Sequence, residues 1–338
     1  MSRFAFAHGA DWRACVRALG RPRRGLGFVY FTDALLGESE RILEALRSES
    51  GVPHWIGTVG TGVVATGVEY QDEPALAAMV AEVDDYAVFS GRAPLKRTAS
   101  FGVVHADPSA PELPGLVADL AAKLDAGYLV GGISSSRSGT VQIANEVLSG
   151  GLSGAVLDCA VATRLTQGCS AFPGRYRVTE CEENLVARLD GRPALDVLLE
   201  ALGGAKAQVL VGLPVPGSDT GDYTARNLLG VDPQSRVIAI GDLVEPGQEL
   251  IFLRRDAAAA RADLARMLRE LTAEVPQPRG ALYYSCVARS EHMFGRRSAE
   301  LGLIRQALGD VPLVGFFCNG EISRDRLYGY TGVLTVFR

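Results

Sequence analysis

The chain has 338 residues, 47% hydrophobic and 22% charged, with a net charge of −5 and a pI near 5.5. That length carries two domains with full hydrophobic cores, and the acidic balance excludes an electrostatic nucleic-acid footprint. The N-terminus interrupts its apolar stretch at His8 and Asp11, unlike a signal peptide, and no run reaches the roughly 18 apolar residues of a membrane helix, so a cytoplasmic protein is expected.

In chain order, residues 1–26 read as a terminal helix followed by a basic connector, RPRRGLG. The next segments repeat one pattern: a strand, a helix, a second strand ending in glycine, and a loop of small polar residues. The first copy is GLGFVYF, SERILEALRSE and PHWIGTVGTG; the second is RTASFGVVHAD, LPGLVADLAAKLDAG and YLVGGISSSRSG. Apolar runs alternating with helix-period segments predict βαβ units. The stretch from Ala155 to Pro193 changes texture, with β-branched runs broken by Gly, Pro and Asn that predict hairpins. Asp190-Gly191 is a turn signal, and Pro193 opens a helix, PALDVLLEAL. AQVLVGLPV predicts a buried strand. RVIAIGDLV and ELIFLRR flank Glu245-Pro246-Gly247 and predict a hairpin. DAAAARADLARMLRELTAEV predicts a helix capped by Asp256. A third copy of the repeat follows, GALYYSCVARS, RRSAELGLIRQALG and VPLVGFFCNGEIS, and LYGYTGVLTVF predicts a closing strand.

The expected class is therefore α/β, mixing α/β and α+β character: two domains of βαβ-like repeats with mixed parallel and antiparallel sheets. The boundaries are 1–26 for the terminal helix and connector, 27–190 for the first domain and 191–338 for the second. Polar loops at the carboxyl ends of such strands are where α/β proteins place ligands, so the repeats point to a small-molecule site.

Familiar catalytic signatures are missing. GGLSG and GSDTG fail the spacing of a nucleophile elbow, and no lysine follows a glycine cluster as in a phosphate-binding loop. Gly60, Gly62 and Ala65 match G-x-G-x-x-A, but Val63, Val64, Thr66 and Val68 predict a strand or hairpin rather than the helix a dinucleotide site needs. The six cysteines, Cys15, Cys159, Cys169, Cys181, Cys286 and Cys318, form no C-x-x-C pair and have no histidine cluster beside them. Neither a metal nor an organic cofactor is expected.

The order of features resembles the FIST family, with both its N-terminal and C-terminal domains. The resemblance is carried by VTECEENLVARLDGRPALDVL, ARNLLGVDPQSRVIAIGDLVEPGQELIFLRRDAAAA, SCVAR (Ser285 to Arg289), and GFFCNGEIS (Gly315 to Ser323) with the closing GYTGVLTVF. It implies a sensory module for small ligands, amino acids among those proposed. Family members occur alone or joined to output modules. With about 25 residues before the first repeat strand, a standalone sensor with a separate signalling partner is expected here.

The candidate ligand-binding residues are Arg289, Asn319, Gly320, Glu321, Ser285, Cys286, Gly132, Ser134 and Arg137. Arg289 can grip a carboxylate by two parallel hydrogen bonds and Glu321 can accept from an ammonium, which together suit a free amino acid; the alternative is that the two bind each other. Asn319 and Gly320 bring backbone amides close to a ligand or simply shape a turn. Gly131, Gly132, Ser134, Ser135, Ser136 and Arg137 suit an anion or form a solvated loop with a serine cap. Cys286 and Cys318 hold matching places in the third copy, as packing residues or as redox neighbours. Asp33 and His105 end strands of the first two copies, and His105 is a candidate titrating group near neutral pH. An enzyme with Glu321 as general base and a protein-binding scaffold are the competing classes.

Overall fold

The structure is a computed structural model that describes residues 4–91, 95, 97–125, 127–205, 207–218 and 221–338, with the backbone alone at residue 292. The chain forms two compact units, residues 1–167 with 262–338, and residues 168–261. Helices alternate with strands, and the sheets mix parallel and antiparallel pairs.

All three repeats lie in the first unit. Their leading strands are Leu26–Thr32, Phe101–Ala106 and Gly280–Cys286, and their trailing strands are His54–Gly60, Leu129–Ile133 and Leu313–Cys318. Each leading strand pairs in parallel with its own trailing strand. The crossovers carry the helices Ser39–Ser50, Leu113–Ala121 and Ala299–Leu308. Each pair centres its own six-stranded sheet, to one plan. Beside the leading strand runs an antiparallel strand: Leu76–Ala81, Leu152–Leu157 or Thr331–Phe337. Beside the trailing strand lies a hairpin, and here the repeats exchange parts. The hairpin of residues 62–71, which follows the first repeat, pairs with the trailing strand of the third. That of residues 142–148, after the second repeat, joins the first sheet, and that of residues 321–328, after the third, joins the second sheet.

A glycine at the same register position brings each parallel pair close together. A Cβ on Gly57, Gly131 or Gly315 would stand 1.7 Å from the carbonyl oxygen of Val29, Val104 or Tyr283 in the partner strand. One position further along stand Tyr30, His105 and Tyr284, all fully buried. They meet: the Tyr30 hydroxyl lies 3.2 Å from His105 Nε2 and 2.8 Å from the Tyr284 hydroxyl. Around them the inner faces of the three sheets share one core, including Phe28, Ile56, Phe101, Val103, Leu282 and Phe316. Helices cover outer faces. Ile42, Leu43 and Leu46 pack with Val29, Phe31 and Val59, while Val117 and Leu120 pack with Val104 and Leu129. These helical residues recur at three- and four-residue spacing, the period of a one-sided apolar stripe.

The N-terminal segment departs from the sequence expectation. Helix Trp12–Ala18 forms, capped by the Asp11 side chain, but strand Phe4–Gly9 precedes it and pairs with Leu76–Ala81. The cause is a period-two alternation in FAFA. Phe4 and Phe6 pack on the shared core, while Ala5 and Ala7 face the helical side. The G-x-G-x-x-A segment is a hairpin, as its β-branched residues predict.

In the second unit, strand Glu249–Arg255 pairs with Val209–Pro214 as well as with Tyr176–Glu182, which closes six strands of an eight-stranded antiparallel sheet into a ring; Cys169–Ala171 and Arg192–Pro193 attach outside it. Helix Ala194–Leu202 starts after Pro193, ends at a left-handed Gly203, and buries Leu195, Val197 and Leu198 with Val178, Val186 and Phe252. The hairpin expected around Glu245-Pro246-Gly247 does not form. Val237–Ile240 pairs with Leu185–Leu189 and Tyr223–Asp232 instead. The connection runs along the 176–189 hairpin, where Val244 N donates to Glu183 O and Gly247 N to Val178 O, and so delivers Glu249–Arg255 to the far side of that hairpin.

Candidate functional site

The exchange of hairpins sets the loops of the second and third repeats side by side. In the second sheet Glu321 stands directly opposite Gly132. Ile133 N donates to Gly320 O, Asn319 N to Ile133 O, and Asn319 Nδ2 to Ser134 O at 3.4 Å. A side chain at Gly132 would collide with Cys318, whose Sγ lies 2.8 Å from where its Cβ would be. The missing Cβ is what lets Cys318 reach Glu321.

Glu321 is fully buried. Its Oε2 accepts from Thr331 N at 3.0 Å and Thr331 Oγ1 at 2.6 Å, and its Oε1 from Cys318 Sγ at 3.3 Å. Burial outweighs these bonds and raises its pKa to about 7. The thiols answer in the same direction. Burial, together with the Glu321 charge, pushes Cys286 up to about 12 and Cys318 well above its ordinary value. The two cysteines are registered partners across the parallel pair, both are free, and both are protonated at neutral pH. Cys318 Sγ also approaches Ser285 O at 3.4 Å.

Arg289 is 1% exposed, and the carboxylate it grips is Glu300 rather than Glu321. Its Nε and Nη2 donate to Glu300 Oε1 at 3.0 and 2.5 Å, and Nη1 to Tyr330 O at 3.4 Å. Glu300 also accepts from Tyr283 OH at 2.7 Å and Ser285 Oγ at 3.2 Å. The sequence reading passed over Glu300. The signal is its place four residues before the buried Ile304 and beside Leu301, an acid on the apolar face of its helix.

Arg137 stands apart from this corner. Its side chain is 56% exposed and holds Asp33 through Nε at 2.8 Å and Nη2 at 2.7 Å, with Nη1 on Asp72 at 2.5 Å. Asp33 is held below the usual carboxylate range, first by its hydrogen bond from Arg137. Ser134 is buried with its Oγ 2.6 Å from Thr58 Oγ1, and Ser136 Oγ accepts from Ser138 N and Gly139 N as a turn cap. His105 is enclosed on all sides, and burial lowers its pKa to about 3, so it stays neutral near pH 7 rather than titrating there. An open surface depression of about 370 Å³ lies elsewhere, lined by Gly67, Gly302, Arg305, Gln306, Gly309 and Asp310.

Asn319, exposed, thus sits over a corner where Glu321, Cys318, Cys286, Ser285, Gly132, Gly320 and Ser134 come together and Arg289 is locked beneath. The exposed Asn319 side-chain amide can exchange hydrogen bonds with a small polar molecule, while the Glu321 carboxyl and the two thiols lie buried behind it. Among the described residues, no group of His, Cys, Asp and Glu is arranged to hold a metal ion, and no helix is long and apolar enough to cross a membrane.

The family model of the FIST N domain matches residues 25–192, and that of the FIST C domain matches residues 194–324. The uncharacterized protein Rv0628c of Mycobacterium tuberculosis (strain ATCC 25618 / H37Rv) is 32% identical, over 88% of this chain and 86% of its own length. The uncharacterized protein Mb0898c of Mycobacterium bovis is 30% identical, over 96% of this chain and 95% of its own.

Proposed function

The chain belongs to the FIST family of sensory modules, and from that premise we propose that it is a cytoplasmic sensor that binds a small polar metabolite and signals through a separate partner protein. The ligand is an amino acid or a related molecule, taken at the corner of Asn319, Gly320 and Glu321, with Gly132, Ser134, Ser285 and Cys286 around it and Arg289 supporting it from below. One observation carries this reading: Glu321, a buried carboxyl held near neutrality, stands where the loops of two repeats cross, under an exposed asparagine. Hydrogen bonds from Thr331 and Cys318 offset only part of the cost of burying this carboxyl, and carboxyls perturbed in this way cluster at functional sites.

A thermal-shift screen with proteinogenic amino acids and small organic acids tests the proposal. A ligand at a hundred times its dissociation constant adds about 2.7 kcal/mol. A selective rise is expected, at least tenfold weaker in affinity for Asn319→Ala, whose unliganded melting point stays at wild-type level because the side chain is exposed. A response that survives Asn319→Ala and Glu321→Gln unchanged sinks this site.

The same pKa favours a second reading. A general base works best with a pKa near the operating pH, which Glu321 has. Mass spectrometry of each stabilising compound after incubation separates the two, since an enzyme consumes its ligand and a sensor returns it intact.

A further inference from the structure

We propose that the first unit encloses a second binding site, between His105 and Ser153 of the second sheet and Gln142 of the first, for a small neutral molecule that both donates and accepts hydrogen bonds. Three side-chain atoms carry the argument. His105 Nδ1, Ser153 Oγ and Gln142 Oε1 are buried without a protein hydrogen-bond partner, in residues that are each 0% exposed. Folded proteins pair the great majority of such atoms, with protein or with ordered water.

The three belong to one place. His105 and Ser153 are directly opposed in an antiparallel pair, so their side chains leave the same face of the sheet. Gln142 comes from the facing sheet. It is registered beside Thr58, Thr58 beside Tyr30, and the Tyr30 hydroxyl touches His105 Nε2. The Gln142 side chain then turns toward the entry of the strand that holds Ser153, where its Nε2 donates to Gly151 O, two residues before Ser153, at 3.3 Å.

The surroundings set the polarity. A proton chain that runs from Tyr284 OH to Tyr30 and from Tyr30 OH to His105 Nε2 gives both hydroxyl protons an acceptor. The ring of neutral His105 then carries its hydrogen on Nδ1. The site therefore offers a donor at His105 Nδ1, an acceptor at Gln142 Oε1, and at Ser153 Oγ a group that is either. None of the three is charged, so an ion would enter without a counter-charge from them. An ordered water and a small organic amide share the chemistry that fits.

The test is the melting of Ser153→Ala, with histidine nitrogen NMR on the wild-type chain. If the hydroxyl bonds a bound molecule, its loss lowers Tm by roughly 2–4 °C. If it has no partner, its loss leaves Tm unchanged or raises it, because an unmet desolvation cost disappears, and the proposal falls. NMR is expected to find His105 protonated on Nδ1 with a slowly exchanging ring N–H; a proton on Nε2 also overturns it. Unfolding the wild-type chain in guanidinium, dialysing and refolding then separates the sources. An unchanged His105 signal in plain buffer assigns water. A changed signal restored by acetamide assigns an organic amide.

Discussion

Glu321→Gln isolates the cost of holding an acid in the core. The folded chain keeps the Glu321 proton up to about pH 7, while the unfolded chain releases it near 4.5. Between those values the folded state binds more protons, so wild-type stability falls as pH rises from about 4.5 to about 7 and levels off beyond. At about 1.4 kcal/mol for each pH unit of that interval, the loss comes to about 3–4 kcal/mol. Glutamine resembles the protonated acid: its oxygen accepts from Thr331 N and Oγ1 where Glu321 Oε2 does, and it never ionises. The two proteins should melt together near pH 5. At pH 8 the variant should be ahead by roughly 6–16 °C, at about 2–4 °C per kcal/mol for a unit of this size. The assay is calorimetry of both proteins from pH 5 to 9. Parallel curves across that range, or a variant that is the weaker protein at pH 8, would refute the reasoning, because Glu321 would then be bound as the carboxylate.

Four further outcomes follow from the geometry. Gly315→Ala forces a Cβ to 1.7 Å from the Tyr283 carbonyl oxygen and should destabilise by more than about 4 kcal/mol. Gly302→Ala, in a helix with open space around it, should stabilise by about 0.5–1 kcal/mol; denaturant titration of both measures the contrast. Glu300→Leu strands the buried Arg289 guanidinium and should cost about 3–5 kcal/mol, much of it returned when Arg289→Met is added, as a double-mutant cycle reads out. Arg137→Ala should cost about 1–3 kcal/mol, because its own side chain is 56% exposed but the Asp33 carboxylate it holds is only 6% exposed and loses its main partner, and should leave any thermal-shift response to the ligand panel intact.

The repeats were legible because each buries its strands and one face of its helix, and that demand writes itself as a change of hydrophobic period. The Asp256 cap was legible for a similar reason: a short acceptor before a helical run serves the free amides of Ala258 and Ala259. What stayed hidden is non-local. A hairpin such as residues 62–71 has the same sequence pattern whichever sheet it joins, so its pairing with Leu313–Cys318 is decided by register and inner-face packing that no local window holds. The Glu245-Pro246-Gly247 hairpin failed in the same way, since a turn signal bends the chain without choosing the partner strand. At the candidate site, the loop residues were readable as polar and glycine-rich, and all but Arg137 are adjacent. The partner of Arg289 was not readable, because a buried guanidinium takes whichever carboxylate its packing presents, and here that is Glu300.

The exchange of hairpins has a consequence for how the protein is made. During synthesis the hairpin of residues 62–71 emerges early, but the strand that receives it, Leu313–Cys318, is translated about 240 residues later. At roughly 5–20 residues per second, the hairpin waits about 10–50 s with a pairing edge uncovered. The first sheet is completed when residues 142–148 arrive, the second only after residues 321–328, and the third when Thr331–Phe337 docks. The first unit therefore closes after its last strand leaves the ribosome, and a nascent chain stalled anywhere before that point carries open β-edges that invite aggregation and chaperone capture.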